Sequence, residues 1–156
     1  MNKKRTNYLS WAEYFLALTK LISQRSKDPH TQVGAIIINP RTNTIISTGY
    51  NGFPRGCSDD EFPWGNESEN WLETKYPYVL HAEANAIIHA QQNCEGFVMY
   101  TNFFPCHECA KLIIQSGIKN VFYYSDILNQ EHWKNSYQAS EKMFQASGIN
   151  YQKINK

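Results

Sequence analysis

Two short motifs in this chain of 156 residues contain the residue types that bind and use a transition metal. They are H-A-E at residues 81–83 and P-C-H-E-C at residues 105–109. His81, Cys106 and Cys109 offer one imidazole and two thiols, which are typical ligands of Zn2+. Three protein ligands leave the fourth zinc position open for water, as in catalytic rather than structural sites. Glu83 is not needed as a ligand, so its carboxylate is available for proton transfer.

The spacing of the motifs indicates that both lie at the start of a helix. Residues two apart do not face the same way along a helix, so His81 and Glu83 converge only on a point off the helix N-terminus. A helical pattern from about residue 82 to residue 93 agrees with that position. Cys106 and Cys109 are three apart and share a helix face, and the proline before them is favourable at a helix start. We therefore predict two helix N-termini that point at one metal ion.

This arrangement predicts hydrolytic chemistry. Helix N-termini carry partial positive charge, which favours the thiolate form of cysteine. Two thiolates formally neutralise Zn2+, yet a water at the open position is still acidified. Glu83 is then placed to take the proton of that water and deliver it elsewhere. The joined motifs H-x-E and P-C-x-x-C are the signature of zinc-dependent nucleobase deaminases, in which water attacks the ring carbon that bears the exocyclic amine.

A structural zinc site is the alternative interpretation of the same residues. It requires a fourth ligand, for which His107, Cys57 and Cys94 are the candidates. Structural sites more often combine two C-x2-C pairs, or one such pair with two histidines. Nothing in this alternative uses Glu83, so the catalytic interpretation accounts for more of the pattern.

The remaining sequence predicts elements that hold the two motifs in one α/β domain. A capping box at Ser10 and Glu13 starts a helix that runs to about Ser26. A β-hairpin follows, and alternating helices and strands complete the chain, which implies parallel strands with right-handed crossovers. We expect a three-layer α/β/α domain with a five-stranded mixed sheet, spanning residues 1–156 with its core at about 9–151. The predicted strands are 33–39, 44–48, 97–101, 121–124 and 149–153, and the later helices are 82–93, 106–116 and 133–146.

Composition limits the partners of this domain. A net charge of +1 argues against a polynucleotide-binding surface. The longest apolar runs are too short to span a membrane, and no apolar signal core follows the charged N-terminus. We therefore expect a cytoplasmic protein that binds no membrane and takes a small-molecule partner.

Several longer stretches resemble the deoxycytidylate (dCMP) deaminase family. They are SKDPHTQVGA at 26–35, GYNGFPRGCSDD at 49–60, KYPYVLHAEANAI at 75–87 and FPCHECAKLIIQSGIK at 104–119. The resemblance implies conversion of dCMP to dUMP for thymidylate synthesis. It also implies a homo-oligomer, commonly a hexamer, that dCTP activates and dTTP inhibits.

The resemblance assigns roles to particular residues. His81, Cys106 and Cys109 match the zinc ligands, and Glu83 matches the proton shuttle. Asn51 matches the asparagine that contacts the sugar or the nucleotide. We also expect Ala82 and Tyr124 in the substrate site, Tyr124 because of its place at a strand end. The effector nucleotide is assigned to Lys27, Gly49, Tyr50, Gly52 and Arg55.

Some of these assignments have alternatives in the sequence itself. Asn51 is also typical of a turn residue that bonds its own backbone. The glycines of residues 49–56 also suit turn geometry without any ligand. Tyr124 follows a strand end, where α/β sites form, but core packing or a subunit contact explains it equally well.

An acidic insertion separates the hairpin from the first motif. Residues 57–79 show little periodicity, and a loop of that length in a compact domain is usually functional. Its acids are expected to face solvent, a neighbouring subunit or Mg2+ carried by a triphosphate effector. Viral relatives sometimes hold a second zinc here, but only Cys57 remains as a candidate ligand, so we expect one Zn2+ per subunit.

Two alternatives to dCMP deamination remain. The enzyme could act on dCTP, cytidine or tRNA adenosine, or the domain could be a zinc-binding module without catalytic activity.

Overall fold

The computed structural model describes residues 3–125 and 131–154, so residues 1–2, 126–130 and 155–156 of the predicted domain lie outside it. Its helices and strands, in chain order, are α1 Trp11–Ser23, β1 Gly34–Asn39, β2 Thr44–Tyr50, α2 Ala82–Ala90, β3 Val98–Phe103, α3 His107–Gln115, β4 Asn120–Ser125, α4 Glu131–Ser147 and β5 Asn150–Lys153. Within these residues, none of the helices combines the length and the apolar character needed to cross a membrane.

The strands form one five-stranded mixed sheet in the order β2-β1-β3-β4-β5. β1 pairs antiparallel with both β2 and β3, whereas β3, β4 and β5 run parallel. The hairpin and the parallel half were both predicted, because a four-residue turn joins antiparallel strands and an intervening helix joins parallel ones. The predicted mixed sheet is confirmed.

Helices cover both faces of the sheet. α1 packs Phe15 into one core cluster with Ile36 of β1. The helices α2, α3 and α4 contribute Ala86, Ile113 and Phe144 to a second cluster on the opposite face. The three-layer α/β/α architecture is therefore confirmed, and the face covered by α2 and α3 is the one that carries both motifs.

Two predicted helices are shorter in the structure. α1 ends at Ser23 rather than near Ser26, because the next three residues form a tighter turn with bonds three residues apart. α2 ends at Ala90 rather than at Asn93, because Gln91 adopts a left-handed conformation with φ of 50°. The other bounds agree with the prediction to within about two residues.

The insertion at residues 57–79 has one 3-10 turn, Trp71–Glu73, among its otherwise irregular backbone. Its aromatic side chains pack against one another and against Phe53 of the preceding loop. Phe53 lies 4.1 Å from Trp64 and 5.5 Å from Phe62 between ring centroids, and Phe62 lies 5.0 Å from Tyr78. The insertion is thus packed against the rest of the domain, as expected of an insertion rather than a linker.

Gly49 determines how closely α2 lies on the sheet. A Cβ at this position would lie 2.2 Å from the Ala82 carbonyl oxygen and 2.4 Å from the Ala86 amide nitrogen. Real side chains do not tolerate such distances, so the absence of a side chain lets the first turn of α2 rest on β2. That first turn follows directly on His81.

Candidate active site

The two motifs meet at the N-termini of α2 and α3. His81 is the N-cap of α2 and Cys106 is the N-cap of α3, and neither side chain caps its own helix. Both side chains turn instead toward one point. The imidazole Nδ1 of His81 lies 3.3 Å from the Cys106 Sγ and 3.4 Å from the Cys109 Sγ. The prediction that both motifs lie at helix starts is confirmed.

These three side chains form a group that can hold a metal ion. Their ligand atoms all lie within 4.8 Å of one another. One imidazole nitrogen and two sulfurs are the donor set that Zn2+ prefers, and three ligands leave one tetrahedral position open. The residues therefore fit a zinc ion of the catalytic type.

Of the three proposed fourth ligands of a structural site, His107 and Cys94 are used elsewhere, and Cys57 is not part of the metal-binding group found among the described residues. The Nδ1 of His107 lies 2.8 Å from the Ser136 hydroxyl, and its Nε2 lies 3.1 Å from a Glu108 carboxylate oxygen. The Cys94 thiol donates to the Gln92 carbonyl. Among the described residues, neither joins the group of His81 and the two cysteines, so the arrangement favours an open site.

Hydrogen bonds within the cluster set its charges. A hydrogen bond from Cys109, aided by His81, lowers the pKa of Cys106 to about 4 despite burial. The hydrogen bond to Cys106 raises the pKa of His81 to about 9, against the effects of burial and of the Lys75 charge. The pKa of Cys109 is raised, first because it donates to Cys106 and then by burial. A divalent cation that binds here displaces the protons of His81 and Cys109.

Glu83 lies beside this group in the first turn of α2. The side chain is buried, with 5% of its surface exposed. Thr101 of β3 donates to its Oε1 at 3.3 Å, and Cys109 donates to its Oε2 at 3.4 Å. Burial, followed by the negative charge of Cys106, raises the pKa of Glu83. A carboxyl group with a raised pKa exchanges protons more readily near neutral pH.

The loop after β2 holds the start of α2 in place. Gly52 and Leu80 exchange two backbone hydrogen bonds, of 3.1 and 2.9 Å, so the residue before His81 is fixed to this loop. The Asn85 amide donates to the Tyr50 carbonyl at 2.7 Å. The backbone of Tyr50, which the resemblance assigned to an effector, therefore contacts α2, and the backbone of Gly52 contacts the residue before its N-cap.

A cavity of about 430 Å³ opens beside His81, Glu83 and Cys106. That volume is in the range of sites for small ligands. The other lining residues come from the loops after α1 and β2, from the insertion, from the start of α2, from the end of β3 with the residue after it, and from α4. They are Asp28, Pro29, His30, Thr31, Val33, Asn51, Asn66, Lys75, Tyr76, Val79, Ala82, Phe103, Phe104, Trp133 and Tyr137.

Two of the three predicted substrate residues lie on this cavity. Ala82 is fully buried in its wall. Asn51 also lines it, but its side-chain atoms bond the protein: Oδ1 accepts from the Val33 amide at 2.8 Å, and Nδ2 donates to the Thr31 carbonyl at 2.9 Å. Asn51 thus joins the loop after α1 to the loop after β2 and shapes the wall.

Tyr124 is placed elsewhere. It belongs to the core cluster under α1, on the sheet face opposite to the cavity, with the Lys20 ammonium 4.6 Å from its ring centroid. Side chains alternate along a strand, and its neighbour Tyr123 packs against Phe104 on the cavity side. The structure therefore does not bring Tyr124 to the cavity.

The charged residues assigned to the effector lie outside the cavity. Lys27 is exposed and forms an ion pair with Asp59 of the insertion. Arg55 is exposed as well.

Some residues that line the cavity were not predicted from the sequence. They include Asp28, Asn66, Lys75, Tyr76 and Tyr137. They come from three separate segments, and no local pattern connects them.

A comparison with protein families agrees with this geometry. Residues 9–125 match the family described as the cytidine and deoxycytidylate deaminase zinc-binding region. The chain belongs to this family. As a family member it is a hydrolytic enzyme, a deaminase, and the α/β fold described above is the fold of its structural relatives.

Individual members of the deaminase family cover nearly the whole chain. The human deoxycytidylate deaminase is 51% identical over 153 residues, covering 97% of this chain and 84% of the human protein. The mouse deoxycytidylate deaminase has the same identity and coverage. The crystal structure of the dCMP deaminase from the cyanophage S-TIM5 in complex with dCMP and dUMP aligns with a TM-score of 0.71 at 27% identity, covering 91% of this chain and 95% of that chain.

Proposed function

We propose that this deaminase converts dCMP and water into dUMP and ammonia, with Zn2+ held by His81, Cys106 and Cys109. The observation that carries the proposal is the group of one imidazole and two sulfurs beside the Glu83 carboxylate, on a cavity of about 430 Å³. The substrate is supported by the relatives that are named deoxycytidylate deaminases and by the solved complex with dCMP and dUMP.

The metal ion and the protein side chains have different roles in the reaction. When bound, Zn2+ supplies the Lewis acidity that makes water a nucleophile near neutral pH. Glu83 takes one proton from the attacking water and gives it to the ring nitrogen, and it then passes the second water proton to the exocyclic amine. The C–N bond breaks as the new C=O bond forms, so the amine leaves as ammonia. Thr101 holds one carboxylate oxygen of Glu83 and leaves the other closer to the cysteines.

The walls of the cavity suit a nucleobase. Phe104 and Tyr137 line it, and aromatic side chains offer apolar surfaces to a planar ring. Asn51 and Ala82 complete the wall beside the first turn of α2. Excluding water around the ring strengthens the electrostatic interactions that Glu83 makes with it.

An absorbance assay tests the proposal. Zinc-loaded protein is incubated with dCMP, with and without dCTP, and the loss of cytosine absorbance is followed. Turnover of dCMP in preference to CMP, dCTP, cytidine and tRNA adenosine is expected. Absence of dCMP turnover under both conditions contradicts the proposal, and a preference for another member of the panel replaces the substrate.

Regulation and assembly extend the proposal. We expect dCTP to activate and dTTP to inhibit through Lys27, Gly49, Tyr50, Gly52 and Arg55, with Mg2+ carried by the triphosphate. A cytoplasmic hexamer is expected as well. Large apolar side chains exposed on α1 support a subunit contact, because Trp11 is 57% and Leu21 is 60% exposed. Light scattering measures the subunit count, and activity with each nucleotide measures the regulation.

A further inference from the structure

A buried ion pair lies in the wall of the same cavity. The Lys75 Nζ is 2.5 Å from the Asp28 Oδ2, and the two side chains are 9% and 1% exposed. We infer that Lys75 binds the 5′-phosphate of the substrate and so selects nucleotide over nucleoside. This inference rests on the proposed function, because it assigns a binding residue for that substrate.

Asp28 forms an ion pair with Lys75 that leaves other N–H donors of the ammonium available to a ligand. The Asp28 Oδ1 accepts from the amides of His30 at 2.9 Å and Thr31 at 3.2 Å, and its Oδ2 also accepts from Asn51 at 3.4 Å. Three donors besides Lys75 therefore stabilise the carboxylate. An ammonium has three N–H donors, and among the described residues Asp28 is the one acceptor that Lys75 meets. Two donors remain for a ligand.

The charges around the cavity make Lys75 the suitable partner for a phosphate. Among its lining residues in the described part of the chain, Lys75 is the one lysine or arginine. A phosphate monoester carries between one and two negative charges near pH 7. The two thiolates balance the charge of a bound Zn2+ and Glu83 offers no attraction to an anion, so Lys75 is the side chain of the described lining that attracts a phosphate.

The shape of a nucleotide agrees with this assignment. The ring must reach Glu83 at the buried end, and the 5′-phosphate lies at the other end of the nucleotide. Lys75 and Asn66 both belong to the insertion and both line the cavity. The Asn66 Oδ1 is buried and has no hydrogen-bond partner among the described residues. A sugar hydroxyl in the cavity would supply the missing donor, since buried polar groups are normally paired.

The test removes the charge of Lys75 without leaving its partner unpaired. The double variant Asp28→Asn, Lys75→Gln replaces the ion pair by two amides of similar size, and Asp28→Asn alone keeps the ammonium. With dCMP, the double variant is expected to raise KM about 10- to 100-fold relative to the wild type, in which the ammonium keeps its carboxylate partner; this is the usual effect of losing a charge-assisted hydrogen bond. With deoxycytidine, which has no phosphate, the kcat/KM of the double variant is expected to stay within about threefold of the wild-type value. A threefold change corresponds to a free-energy difference of under 1 kcal/mol.

Controls separate the possible outcomes. Lys119→Gln removes an exposed lysine outside the cavity and is expected to change neither constant. Lys75→Arg keeps the charge and is expected to keep most of the affinity for dCMP. Zinc content and melting temperature are measured for every variant, with and without dCTP. An unchanged KM for dCMP in the double variant, or an equal loss with deoxycytidine, overturns the inference. Failure of the wild-type protein to deaminate dCMP overturns the proposed function instead.

Discussion

Gly49→Ala tests whether Gly49 serves the fold or the effector. The added Cβ would lie 2.2 Å from the Ala82 oxygen, 2.4 Å from the Ala86 nitrogen and 3.0 Å from the Asn85 carbonyl carbon. Favourable contacts between heavy atoms need about 3.5 Å, so α2 must move away from β2 by roughly 1 Å. The obstacles are backbone atoms of a helix, which cannot rotate away as a side chain can.

The displacement has a cost in both stability and activity. Overpacking of this kind typically costs about 1–3 kcal/mol. A loss of 1 kcal/mol lowers the melting temperature by about 2–4 °C in a domain of this size. The shifted helix carries His81 and Glu83, and a misplacement of about 1 Å at a reacting centre costs on the order of 10²-fold in rate. We therefore expect a lower melting temperature and a lower kcat together.

Gly52→Ala is the matched control. A Cβ there meets its nearest atom, on the Tyr50 ring, at 3.9 Å, which is ordinary contact. Its backbone bonds to Leu80 do not require glycine. This variant is expected to keep its melting temperature and its kcat. If Gly49→Ala also kept both and lost only its response to dCTP, the packing argument would be refuted and direct contact with the effector supported.

Three further substitutions test the chemistry. Glu83→Gln is expected to retain zinc, measured by atomic absorption, and to lose about 10²- to 10⁴-fold in kcat, because the amide cannot shuttle a proton; near-normal turnover would remove Glu83 from the mechanism. Cys106→Ser is expected to lower zinc content and melting temperature together, because metal binding is coupled to folding; full zinc occupancy would contradict its role as a ligand. Thr101→Val keeps the shape of a fully buried residue but removes the hydroxyl that donates to Glu83. The loss of one hydrogen bond, about 1.5 kcal/mol, is expected to lower kcat about tenfold. The KM for dCMP is expected to stay constant. A rise in KM without a change in kcat would show that Thr101 positions substrate rather than Glu83.

The sequence predicted those parts of the site whose positions depend on neighbouring residues in the chain. The spacing of His81 to Glu83 and of Cys106 to Cys109 has meaning only at helix starts, and helix starts have local signals. Alternation of β-branched strands and amphipathic helices likewise indicated the layers of the fold. Each of these inferences needs only a few neighbouring residues.

The parts that were missed depend on distant contacts. Lys75 and Asp28 are 47 residues apart, and nothing near either residue indicates the other. Tyr124 was assigned to the correct strand but lies on the opposite face to the cavity, and one residue decides that face because strand side chains alternate. Asn51 reached the cavity as predicted, yet its bonds to Val33 and Thr31 follow from the tertiary fold.

The paired hydrogen bonds between Gly52 and Leu80 also have a mechanical consequence. Leu80 is joined to His81 by one peptide bond, and a peptide bond is rigid. The loop after β2 is therefore joined to the first zinc-ligand position through a single residue, Leu80. A displacement of this loop acts on the His81 imidazole through one intervening residue. Cys106 and Cys109, in contrast, are held at the start of α3. The geometry of the cluster is consequently most sensitive to strain that enters from residues 49–52.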